Sequence, residues 1–328
     1  MEQIRSPLVA RRLLAESRSV VIHADSAVID AIRASEYSFF NRLVPYLTGL
    51  GLSTRMVEIG GSASRVLMDA DSVDIIVGDH PGYGRNRLHV AQSYIWGFWY
   101  LDEVGVNWNS SLRFARFDPA QINAEQAAYF FNGVTGHMLR ENVSKITQEP
   151  RQTDPMERAA AVVFCQMTET AEDRSHYLTT EDMIRTAATA CRPDLVYVKM
   201  HPDQCKHSRR QIMATCADYT NVRISDASIH DLADAARVVV TQNSAAGFEA
   251  LMQRKPVITC AKSDYWHATL TPRTTQDLSE AITYGQDAMA GFDFAKYLYW
   301  FLDRNCLEPQ KDVFAKRAWA RIKDKAFY

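Results

Sequence analysis

The chain reads as an α/β protein built from two doubly wound, Rossmann-like halves. Three observations predict this. Short β-branched runs alternate with helical patterns in both halves, several strands are apolar along their whole length, and two strands run straight into a turn or helix through polar residues. The 328 residues suit two domains, each large enough to bury a core.

In the first half, Ser19-Val-Val-Ile-His-Ala is a β-branched strand. A single helical stretch is expected from about Ala27 to Leu50, with Ile29, Ile32, Phe39, Phe40, Leu43 and Leu47 inward and Gly49 and Gly51 as its stop. Thr54-Arg-Met-Val-Glu-Ile is the next strand, closed by Gly60-Gly61, and Asp74-Ile-Ile-Val-Gly is a third, of the buried parallel kind. From Asp79 to Phe117 the pattern breaks. His80-Pro81-Gly82-Tyr83-Gly84 precedes five aromatics within Tyr94–Tyr100, then Asp102-Glu103 and Asn107–Ser111. Those rings suit a core and equally a wall on which pyranose faces stack. Gln148–Asp154, polar with two prolines, is the expected linker.

The second half restarts the alternation. Ala160–Cys165, Leu195–Met200, Val222–Ile224, Val238–Thr241 and Pro256–Cys260 are strands. Helices are expected at Thr180–Ala190 with Thr180 as cap, at Ile229–Ala236, and from Ser244 to about Gln253. The domains expected from this are 1–150, 151–290 and a helical tail, 291–328.

Hydrophobic residues make up 47% of the chain, charged residues 23%, and the formal net charge is −2. That balance is of a soluble globular protein and points to no bulk electrostatic binding of nucleic acid or anionic membrane. Any phosphate-bearing ligand needs a local site. The six cysteines have neither CxxC nor zinc-like spacing and are read as reduced thiols. With no signal peptide and no spanning run, the expected location is the cytoplasm. Between Lys311 and Lys325 six basic residues face two acidic ones, with Phe314, Ala318 and Ile322 on one face. Such a helix can lie on the inner face of the inner membrane, although a solvated face is the commoner use.

Ligands of open α/β sheets bind beyond the carboxyl ends of the strands. One such end carries Lys199-Met-His201-Pro202, where proline stops the ladder and leaves an imidazole at the rim. Another carries Gln242-Asn243-Ser244, where small polar residues open a helix that can receive an anion. Ser244 reads equally as a plain cap, and Glu249, one turn on, as a partner for a ribose hydroxyl or a surface residue. No GxGxxG follows a strand, which sets a dehydrogenase aside.

Val196-Tyr-Val-Lys-Met-His-Pro, Ile229-His-Asp-Leu, Val239-Val-Thr-Gln-Asn-Ser-Ala-Ala-Gly-Phe-Glu-Ala-Leu and Lys255-Pro-Val-Ile-Thr resemble the capsule polysaccharide biosynthesis glycosyltransferases, retaining β-Kdo transferases among them. The resemblance covers roughly Ala160–Thr271 and extends loosely to Gly82–Ser111 and Phe294–Leu307. It implies a GT-B-like fold, two Rossmann-like domains facing a central cleft, with the acceptor side in the first. The donor it implies is CMP-Kdo, with no metal and no further cofactor. The acceptor would be a glycan or glycolipid of capsule or lipopolysaccharide, with other polysaccharide-assembly proteins as partners. By position, His201, Asn243 and Ser244 would bind the CMP phosphate, with Pro202, Lys199 and Glu249 as further nucleotide-binding candidates.

Retention needs a carboxylate nucleophile, which the family places behind a Gln after the first strand of the second half. Here Gln166 leads to Glu169, Glu172 and Asp173 at irregular spacing; Asp173 is favoured, then Glu169. Asp102 or Glu103 is the expected acid/base, with His80, Ser110 and Ser111 as further candidates. A transferase of the same fold using another nucleotide sugar, an epimerase of that fold, or a silent nucleotide- or glycan-binding subunit of an assembly complex stays open as an alternative.

Overall fold

The computed structural model describes residues 1–14, 19–68, 70–80, 82–170 and 175–325. The chain forms two compact units, each a Rossmann-like α/β sandwich with a largely parallel six-stranded sheet.

The first unit comprises Met1–Ser93, Gly97–Leu112 and the described residues from Leu302 onward. Its strands are β1 (Glu2–Ile4), β2 (Ser19–Ala24), β3 (Ser53–Glu58), β4 (Val73–Val77), β5 (Arg87–Gln92) and β6 (Trp99–Asp102). They lie in the order β1-β3-β2-β4-β5-β6, with β6 antiparallel to β5 and every other pair parallel. Every residue of β2 and β4 is buried, as strands covered on both faces require. The chain leaves β2 toward β3 and returns on the other side to β4, so the switch point of this sheet lies between β2 and β4.

The second unit comprises Tyr94–Trp96 and Arg113–Phe301. Its strands are β7 (Ala159–Phe164), β8 (Val196–Lys199), β9 (Val222–Ile224), β10 (Ala236–Thr241), β11 (Val257–Thr259) and β12 (Thr269–Leu270). Their order is β12-β11-β10-β7-β8-β9, all parallel, which sets the switch point between β7 and β10.

The expected strands appear at or within two residues of their expected bounds; β1, β5 and β6 and the helix Ala124–Arg140 were not anticipated. Several expectations are corrected. The long helix is two, Ser26–Arg33 and Ser38–Gly49, because Ser35 takes a left-handed φ of 61° and its carbonyl accepts Asn41 Nδ2 at 2.6 Å. The cap of Thr180–Ala190 is Thr179, in a reciprocal capping box with Asp182. Gln148–Asp154 is no free linker: Asp231 accepts Arg151 Nε at 2.5 Å and Gln152 N at 2.8 Å, which moors the segment to the second unit. The two compact units divide at Leu112/Arg113 and, in the tail, at Phe301/Leu302.

The basic helix Phe314–Lys325 belongs to the first unit. Its apolar residues Phe314, Ala318 and Ile322 are buried in the core with Phe39, Phe40 and Leu43, and Phe314 meets Phe39 edge-on at 5.0 Å. Arg317 donates to the Asp303 and Cys306 carbonyls, Arg321 to those of Leu101 and Asn305, and Lys325 to Glu103. The apolar face of this helix is thus packed within the first unit. Among the described residues no helix is long and apolar enough to cross a membrane. All six cysteines are free thiols, five of them buried.

Candidate functional site

At the carboxyl rim of the second sheet, the switch point between β7 and β10 carries a closed polar network. Thr241 ends β10 opposite Phe164 of β7, so the residues that follow each strand emerge side by side. Gln166 Oε1 accepts the Asn243 backbone N–H at 2.7 Å, and Gln166 Nε2 donates to Asn243 Oδ1 at 3.2 Å. Asn243 Nδ2 in turn donates to the Lys262 carbonyl at 2.8 Å. Three amide bonds thereby hold Asn243 in one orientation, and it is 7% exposed. Ser244 caps the following helix by accepting Ala246 N at 3.2 Å, its carbonyl accepts Tyr265 Oη–H at 2.9 Å, and the residue itself is half-buried.

Next to it, Thr168 Oγ1 donates to Gln242 Oε1 at 2.6 Å, and Gln242 Nε2 donates to Glu169 Oε1 at 3.0 Å and to the Leu178 carbonyl at 3.1 Å. Glu169 Oε1 also accepts Thr180 N and Thr180 Oγ1, both at 2.6 Å. One oxygen of this exposed carboxylate is therefore anchored at the first turn of a helix, where negative charge is favoured. Asp173 and Glu172 lie outside the described residues.

His201 follows β8 at the same rim and is partly exposed. Its Nδ1 accepts the Asp203 N–H at 3.2 Å, so a neutral imidazole there carries its proton on Nε2 and is a donor. Pro202 is exposed, and its carbonyl accepts Arg209 Nη2 at 3.2 Å. Gln166, Glu169, His201, Asn243 and Ser244 thus sit on three neighbouring strand ends, β10, β7 and β8. Thr168, which completes the network, was not singled out in the sequence, and Gln242 was named there only as part of the Gln242-Asn243-Ser244 strand end. Adjacency to Asn243 was the only signal for Gln242.

Other candidates have different tasks. Lys199 Nζ donates to the carbonyls of Asp226 at 2.9 Å and Ala227 at 2.8 Å, and burial lowers its pKa; it staples the loop after β9 rather than facing a ligand. Glu249 is 1% exposed and points inward, where Oε1 accepts Ser144 Oγ at 2.9 Å and Lys145 N at 3.4 Å. It offers no oxygen to a ribose at the rim. Desolvation pushes its pKa up to about 8, and Oε2 has no hydrogen-bond partner among the described residues.

In the first unit, Asp102 is occupied by its own loop. Oδ1 accepts Val104 N at 2.8 Å, Gly105 N at 3.0 Å and Ser111 N at 3.0 Å, while Oδ2 accepts Ser111 Oγ at 2.6 Å. Glu103 is ion-paired with Lys325. Neither carboxylate is a free acid/base in this arrangement. Ser110 is buried and its Oγ accepts Leu112 N at 3.3 Å. His80 faces Asp25 at 3.6 Å, at the first sheet's switch point. Of the aromatic run, Tyr94, Phe98 and Tyr100 are core, and Trp96 is 49% exposed. Among the described residues no three His, Cys, Asp or Glu side chains converge as a metal site.

Residues 129–284 match the model of a family described as capsule polysaccharide biosynthesis protein, which contains every member of the β7–β8–β10 rim. That is the family whose motifs the sequence resembles. No protein of curated function matches the chain in sequence. Among solved structures, the chain is similar to the β-Kdo 2,7-transferase of Thermosulfurimonas dismutans KpsC, at 17% identity and a TM-score of 0.49 over 79% of this chain and 88% of that one. The β-Kdo 2,4-transferase of the same protein aligns at 17% identity and 0.46, over 81% and 90%. A UDP-GlcNAc 2-epimerase of Methanocaldococcus jannaschii, solved with UDP-GlcNAc and UDP, aligns at 10% and 0.38, over 93% and 99%.

Proposed function

We propose that the protein is a glycosyltransferase of bacterial surface-polysaccharide assembly that seats a nucleotide sugar at the rim between β7 and β10. The observation that carries this reading is the Gln166–Asn243 clamp at the switch point, inside the family-matched segment. A residue whose side chain is held by two hydrogen bonds and whose backbone N–H is held by a third is preorganised, so a ligand that uses it loses little entropy to order it. His201 Nε2–H after β8 and the half-buried Ser244 after β10 offer donors for a phosphate oxygen.

The donor proposed is CMP-Kdo, on the family resemblance, with a glycan or glycolipid as acceptor at the cytoplasmic side of the membrane. Protein donors meet the phosphate charge in this reading, so it invokes no metal. Reaction with retention proceeds in two displacements. A carboxylate attacks the anomeric carbon as the bond to the phosphate oxygen breaks and CMP departs; the acceptor hydroxyl then displaces the carboxylate and loses its proton to a base. Asp173 is the proposed nucleophile. Glu169 is the second choice, through Oε2, because Oε1 already accepts three bonds.

The test is calorimetric titration of CMP, UDP and GDP, without added metal, into the wild type and His201→Ala. CMP alone is expected to bind, and the variant to weaken it about tenfold, roughly 1.4 kcal/mol. Binding of UDP or GDP in its place, or indifference to His201, overturns the CMP-sugar assignment. Turnover of a UDP-sugar with no acceptor present would mark an epimerase.

A further inference from the structure

A cavity of about 360 Å³ opens in the first unit beyond the carboxyl ends of β1 and β3, remote in sequence from the rim of the second sheet. Its volume lies within the roughly 300–1,000 Å³ of small-ligand pockets. The floor is apolar: Ile4, Ile29 and Val57 are each 1–2% exposed. The walls are charged. Arg5 lines one side, and Glu58 and Asp30 line others.

The register makes these charges informative. Ile4 pairs with Val57, so Arg5 and Glu58 are the next residues along two neighbouring parallel strands. Opposite charges so placed, on strands about 4.8 Å apart, ordinarily pair across the ladder. Here they do not. Among the described residues Arg5 has no carboxylate, and Glu58 no cation, within ion-pair distance. Arg5 is instead drawn aside, its Nε donating to Gln3 Oε1 at 3.2 Å, while Arg33 Nη2 holds the same oxygen at 2.6 Å. The cavity lies between a guanidinium and a carboxylate kept apart.

We infer that this cavity binds a small zwitterion of the α-amino-acid type, its anionic group on Arg5 and its ammonium on Glu58 and Asp30. Asp30 already faces Arg33 Nη1 at 3.8 Å, so the charges left without a counter-ion among the described residues are Arg5 and Glu58. Guanidinium–carboxylate and ammonium–carboxylate contacts are charge-assisted hydrogen bonds, and an occupant bearing both charges matches those two at once. A singly charged ligand would leave one wall unmatched, which sets the specificity. The aliphatic part rests on Ile4, Ile29 and Val57.

The experiment is a titration of the full-length protein, methyl-labelled at isoleucine and valine, with alanine, serine, threonine and glutamine and with their N-acetyl and methyl-ester forms. Saturable shifts confined to Ile4, Ile29 and Val57 are expected for at least one free amino acid, and none for the blocked forms. Arg5→Gln and Glu58→Gln should each weaken that binding at least tenfold while the remaining methyl spectrum stays unchanged. Absence of binding by the whole panel, equal binding of blocked forms, or indifference to both substitutions overturns the inference. CMP titration reports on the second unit separately, so this site and the donor site fail or stand independently.

Discussion

Glu249→Gln should make the protein more resistant to unfolding at pH 8 and change little at pH 5. Glu249 is fully buried, its pKa is raised from 4.5 to about 8, and Oε2 accepts no hydrogen bond among the described residues, with His230 Nε2 at 3.8 Å. A carboxyl whose folded pKa lies above its unfolded one binds more protons when folded, so stability falls as pH rises between the two values. The loss begins above 4.5 and is nearly complete at 8. Integrated from pH 5 to pH 8, a shift of that size corresponds to about 3 kcal/mol. Glutamine keeps the shape and the acceptor for Ser144 Oγ but cannot ionise. Urea unfolding of wild type and variant, followed by tryptophan fluorescence across this range, reads the difference directly. A difference between the two proteins that stays constant with pH would falsify the argument.

Three further outcomes follow from the geometry. Gln166→Ala should weaken nucleotide binding at least tenfold by calorimetry while the fold is kept, because Asn243 loses two of its three holds. Gly247→Ala should destabilise by about 1–3 kcal/mol in thermal unfolding, since the new Cβ would stand 2.7 Å from Thr241 Cγ2 and 3.1 Å from Tyr265 Oη; the Ala245→Gly change, on the half-exposed turn, should cost under about 1 kcal/mol. Ile322→Ala, at a fully buried site, should cost about 2–5 kcal/mol and lower the unfolding midpoint of the first unit.

The strands were legible because a fully buried parallel strand needs an unbroken apolar run, and Val20-Val-Ile and Val238–Val240 can hardly be anything else. β5 and β6 were missed for the converse reason. His89 and Gln92 interrupt the run in β5, and in β6 the rings of Trp99 and Tyr100 read as an insert; only the ladder between them makes either a strand. His201, Asn243 and Ser244 were found because strand ends followed by proline or small polar residues show in a single chain. Glu249 and Lys199 show where such reading stops. Their spacing pointed to the rim, yet the first turns toward Ser144 and the second toward the loop after β9. Residues 142–152 lie far from both β9 and Glu249 in sequence, and no local pattern announces that they pack there.

The first unit is assembled from both ends of the described chain: Phe314, Ala318 and Ile322 share a core with β2, β4 and the helix Ser38–Gly49. This imposes an order on biogenesis. While residues 113–301 are being synthesised, the first sheet exists without the strip that covers Phe39, Phe40 and Leu43, and that apolar surface waits exposed. The second unit, contiguous apart from Tyr94–Trp96, can close first. A later-made segment thus completes an earlier-made unit, and a nascent chain stalled before Phe314 carries a finished second unit joined to an uncovered first one, a natural substrate for chaperones.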